Sequence, residues 1–61
     1  MPVKVGDYVG AKGFYGYVVA VTGDPFNIVT VAITGRAGSA PRDENAPMTV
    51  LAFNADDVRE L

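Results

Sequence analysis

Cysteine, histidine and tryptophan are all absent from this chain of 61 residues. Without cysteine there is no disulfide to staple a small fold. Without histidine and cysteine the usual zinc ligands are missing. The same two absences remove the Ser-His-Asp and Cys-His nucleophile sets and the commonest general acid–base group. Ser39 is the only serine, and it reads as a loop spacer. Clustered positive charge is lacking too. The net charge is −2, and Lys4, Lys12, Arg36, Arg42 and Arg59 are scattered along the chain. Phosphate backbones are held by grouped Lys and Arg, so generic nucleic-acid binding is disfavoured. No apolar run approaches the roughly 20 residues that span a bilayer, and no basic-then-apolar leader opens the chain. The expectation is a cytoplasmic protein that does not engage membranes.

What is present is a dense apolar complement. Hydrophobic residues make up 49% of the chain, and ten are valine. A chain this short makes one domain, 1–61, and buries only about 60% of its unfolded surface. Apolar burial and chain entropy then nearly cancel. A β core, self-association, or both must supply the margin. The abundance of valine, alanine, glycine and aspartate also suggests a bacterial or phage gene.

Alternation gives the elements. Residues 5–9 read as a first strand, with Val5, Asp7 and Val9 on one face and Gly6 and Tyr8 on the other. Residues 10–16 form a glycine-punctuated loop carrying Phe14 and Tyr15. Residues 17–22 are almost wholly apolar and β-branched, which suits a central strand. Residues 23–27, Gly-Asp-Pro-Phe-Asn, make a turn. Residues 28–33 alternate, with Val29, Val31 and Ile33 facing one way. Residues 34–46 lack a period and contain several breakers, which predicts a long exposed loop. Residues 48–53 form a fourth strand. Asn54 is placed to cap a one-turn 3-10 segment at residues 55–57, whose acids suit a helix start. Residues 58–61 are a last short strand; the competing reading is a two-turn helix with Val58 and Leu61 inward. The pattern predicts Val9, Val18, Val29, Val31, Val50 and Val58 in the core.

The Gly6-Asp7 start, the Gly16-led second strand and the one-turn segment before a last short strand resemble the SH3-like barrels. That resemblance implies an all-β fold, a five-stranded SH3-like barrel. The first two features also resemble KOW-type modules, which implies a nucleic-acid accessory role. The ending Asn54-Ala55-Asp56-Asp57-Val58-Arg59-Glu60-Leu61 resembles the close of two further barrels, the small barrel protein of photosystem I and the type II dihydrofolate reductase. The reductase likeness implies a ligand site composed in a homo-oligomer. Its Val-Gln-Ile-Tyr stretch is replaced here by Val50-Leu51-Ala52-Phe53. The polar groups that contact ligands in that family are therefore lost. The signalling SH3 signature Ala-Leu-Tyr-Asp-Tyr and its groove tryptophan are absent as well.

Other motifs read as structural. Asp43, Glu44 and Asn45 lack the spacing of a calcium loop. Gly10, Gly13 and Gly16 precede a strand, so no helix N-terminus stands ready for a phosphate. Asp56 and Asp57 are adjacent and do not converge on one substrate. No catalytic residue, cofactor or metal site is expected. The aromatics remain. Phe14, Tyr15, Tyr17 and Phe26 are the expected protein-contact residues, for a protein partner or for self-association. The sequence thus points to a small non-catalytic binding or assembly module.

Overall fold

Valine at alternate positions drives residues 28–36 into a strand, because β-branched side chains fit a pleated, half-buried surface. In the computed structural model, which describes residues 3–38 and 47–61, this is the third of five strands. They are β1 (Tyr8–Ala11), β2 (Phe14–Val21), β3 (Ile28–Arg36), β4 (Thr49–Asn54) and β5 (Val58–Glu60), with a 3-10 turn at Ala55–Asp57. All neighbours are antiparallel, and the sheet order is β4-β3-β2-β1-β5. The all-β class, the five strands and the one-turn segment match the sequence reading. No ladder joins β4 to β5 among the described residues, so this is one open sheet and not a hydrogen-bonded barrel.

The core lies on one face of the sheet. Val9, Ala11, Val18, Val29, Val31, Ile33 and Val58 are buried, and Phe14, Leu51 and Phe53 pack against them half-buried. Val18 stands directly opposite Val31, which in turn stands opposite Leu51. Gly16 is paired on one side with Val9 and on the other with Ile33. A Cβ at position 16 would land on the Ala32 carbonyl oxygen, so only glycine permits this approach of β2 to β3. The β2–β3 register shifts twice, with Thr34 the extra residue in β3 and Val19 the extra residue in β2. Such bulges bend a strand and sharpen its twist.

Several expectations need correction. The first strand begins at Tyr8, not at residue 5. Gly6 has φ +97°, and its N–H donates to the Val18 carbonyl, so residues 5 and 6 form a turn and Val5 is exposed. The loop assigned to 10–16 is a two-residue turn. Lys12 and Gly13 both have positive φ, the geometry that joins tightly paired strands, and Phe14 and Tyr15 lie on β2. Val50 is 52% exposed; Leu51 and Phe53 are the inward residues of β4. Asn54 precedes the 3-10 turn without a side-chain cap bond. The expected last short strand is present as β5, paired with β1, and the competing helix reading is not. Residues 34–36 of the expected loop belong to β3. The remainder from Ser39 to Ala46, with Arg42, Asp43, Glu44 and Asn45, lies outside the described residues. No described helix is long and apolar enough to cross a membrane.

Two variants test the core. A domain of this size has a stability on the order of 3–9 kcal/mol, and an unpaired buried charge is not tolerated on that margin. Val31→Asp is expected to abolish the cooperative thermal transition. Gly16→Ala is expected to lose about 1–3 kcal/mol in urea unfolding, while Gly23→Ala, with open space around it, stays within about 0.5 kcal/mol.

Candidate functional site

The face of the sheet opposite the core carries the most distinctive surface. Arg36 is the single charged residue in β1, β2, β3 and β4. Strand pairing aligns Tyr8 with Tyr17, Tyr17 with Ala32, and Ala32 with Val50. These four residues form one uncharged row across four strands. The next row runs from Gly10 to Tyr15 and on to Gly35. The Tyr15 ring lies over Gly35, where a Cβ would collide with it. An aromatic ring covering a cross-strand glycine is a recognised way to pin register.

Three tyrosines are thereby gathered. The Tyr8 and Tyr17 rings lie 4.9 Å apart, tilted by 58°, and Tyr8 and Tyr15 lie 6.3 Å apart at 59°. Tilted contacts at these separations are favourable for aromatic pairs. The Thr34 hydroxyl donates to the Tyr15 carbonyl at 3.3 Å, and its oxygen is 3.5 Å from the Tyr8 hydroxyl. Tyr8 is 36% and Tyr17 51% exposed, while Tyr15 is half-buried. The cluster is thus held by its neighbours yet open to a partner.

The four residues expected from the sequence do not share one patch. Tyr15 and Tyr17 lie together on the outer face, joined by Tyr8. Phe14 turns to the other side, packs against the core and stacks near Phe53 at 6.3 Å, with the Arg36 guanidinium 5.4 Å from its ring centre. Phe26 stands alone in the 23–27 turn, at the opposite end of β2, and is 69% exposed. Tyr8 had a signal available in the chain. It alternates with Val9, so burying Val9 commits Tyr8 to the outer face.

A shallow depression of about 380 Å³ lies beside the β1–β2 turn, bordered by Phe14, Tyr15, Lys12, Asp57, Arg59 and Leu61 among others. Lys12 Nζ is 3.5 Å from Asp57 Oδ2, an exposed pair that contributes little to stability. The two cations here are accompanied by a carboxylate, so the depression is not a basic groove. Among the described residues no three His, Cys, Asp or Glu gather as a metal site would require.

No protein-family model, curated protein or solved structure matches this chain.

The placements separate the two phenylalanines. Phe14→Ala is expected to lose about 1–3 kcal/mol in urea unfolding, because the ring caps the core. Phe26→Ala is expected to stay within about 0.5 kcal/mol, as surface changes do.

Proposed function

We propose that this chain is a small non-catalytic protein-binding or assembly module of SH3-like type, and that it holds a protein partner through the Tyr8, Tyr15 and Tyr17 face. The observation that carries this reading is an uncharged row across four strands bearing Tyr8 and Tyr17, with Tyr15 of the next row packed against Tyr8. Tyrosine is enriched at protein interfaces, where charge is depleted from the centre of the contact. Its two side-chain torsions make it inexpensive to order, and here neighbouring rings restrict them already. Arg59, which pairs with Gly10 in the row of Tyr15, is the one strand cation on this face among the described residues, and a single cation is a weak hold for a phosphate-bearing partner. The SH3-like assignment draws support from the consecutive strand pairing, the register shifts at Thr34 in β3 and Val19 in β2, and the 3-10 turn before the last strand. An intracellular protein partner fits the sequence expectation of a cytoplasmic chain.

The test is affinity capture from native lysate with tagged wild type and with Tyr8→Ser/Tyr17→Ser. The double variant is expected to fold, losing about 1 kcal/mol of cross-strand aromatic contact. It is expected to release a protein that the wild type retains in near-equal amount. Retention of the same protein by the folded double variant would contradict the proposal. Capture of nucleic acid alone would favour the KOW-like alternative instead.

A further inference from the structure

The two edges of the sheet are unlike. β5 is three residues long and carries Arg59 and Glu60. Short, charged edges resist pairing with other chains. β4 is six residues, Thr-Val-Leu-Ala-Phe-Asn, with no charge and no proline. The strand itself thus carries no charge, proline or bulge to protect it.

The direction of its backbone groups follows from the ladder. In antiparallel pairing, successive residues point their N–H and C=O to alternate sides. The Thr22 N–H donates to the Ile28 carbonyl, so Ile28, Thr30 and Ala32 address β2. Val29, Val31 and Ile33 therefore address β4. The Ala55 N–H donates to the Asn27 carbonyl, which agrees with that alternation. Their partners Phe53, Leu51 and Thr49 face inward along the ladder. Val50, Ala52 and Asn54 are left pointing N–H and C=O away from the sheet. Among the described residues nothing pairs with that edge.

We infer that the β4 edge pairs antiparallel with the β4 edge of a second copy of this chain, about a two-fold axis through Ala52. That register sets Ala52 against the second copy's Ala52, and Val50 against its Asn54. Each of these three pairs exchanges two backbone bonds, so every outward group of the edge is satisfied. On the core side, Leu51 meets the second copy's Phe53 at the closer, non-hydrogen-bonded spacing. Both are half-buried where the core ends, so the pairing extends the core across the axis. No charge opposes a like charge. A shift of one residue would set core-side residues against outer-face residues and forfeit this match.

A second copy is the occupant because the strand complements itself. Pairing β4 with β5 of another copy would bring a short charged edge to a neutral one. It would also be head-to-tail, which leaves a dimer with one unpaired β4 edge. The small core of this disulfide-free chain supplies the reason to associate. Edge pairing is independent of the tyrosine face, since Ala52 and the tyrosines can be altered separately.

The experiment is sedimentation velocity over a concentration series, on wild type and Ala52→Lys, with single-cysteine cross-linking beside it. Wild type is expected to sediment as a dimer. Ala52→Lys sets two cations directly opposite each other on an exposed face, and is expected to fold yet weaken dimerisation by at least about tenfold. Ala52→Cys introduces the only thiol. Across a hydrogen-bonded pair the Cα atoms are about 5.5 Å apart, within disulfide reach. Ala52→Cys is expected to oxidise to a covalent dimer under conditions that leave Thr30→Cys, its neighbour on β3, monomeric. A wild type that stays monomeric throughout overturns the inference. So does a dimer indifferent to Ala52→Lys, or equal cross-linking of the two cysteine variants. Loss of the dimer in Tyr17→Lys but not in Ala52→Lys would overturn it in favour of face-to-face docking.

Discussion

Val18 on the central strand and Val31 on its neighbour β3 face one another, and the rest of the chain is arranged so that they can. Both are almost fully buried. On one side of them Leu51 and Phe53 close the layer from β4; on the other, Val9 and Val58 close it from β1 and β5. The layer is made of small β-branched residues, so it is thin. β2 and β3 must lie close, and Gly16 is where that closeness is greatest. A residue with any side chain there would strike the Ala32 carbonyl. Val9 and Ile33, both paired with Gly16, are buried on either side of it.

This constraint on one face decides the other. Each valine turned inward commits its strand neighbours outward, because side chains alternate. Tyr8, Tyr17, Ala32 and Val50 are the residues so committed. Their lack of charge is therefore not needed for packing the core, and solvent would accept lysine or glutamate at each position. A row in which Tyr8, Tyr17 and Val50 are uncharged and exposed is the usual mark of a contact surface. The neutral β4 strand at the end of that row raises the same question at the sheet edge, where backbone groups rather than side chains await a partner.

The sequence was most legible where one period held without competition. Residues 28–33 alternate cleanly, and Val29, Val31 and Ile33 are buried as that pattern requires. Residues 5–9 alternate just as well, but Gly6 adopts positive φ and turns the chain, which periodicity does not register. Lys12-Gly13 makes a tight turn without the Asn-Gly or Asp-Gly pair that usually announces one. Without that turn Phe14 and Tyr15 read as neighbours on a common loop, when adjacent strand positions send them to opposite faces. In β4, apolar residues occupy both parities, so Val50 and Leu51 were equally eligible for the core; the register with Val31 selects Leu51. The tyrosine cluster needed the pairing of β1 with β2, which no single segment encodes.

The described residues form one open sheet with β2 at its middle between β3 and β1, carrying the valine layer on one face and the tyrosines on the other. Residue-resolved amide hydrogen exchange probes that arrangement strand by strand. Strands bonded on both sides open only with the whole domain, while edge groups facing water exchange freely. The slowest amides are expected in β2 and β3, including Val18, whose N–H donates to the Asp7 carbonyl. Fast exchange throughout β2 and β3, with the greatest protection elsewhere, would contradict the open-sheet arrangement.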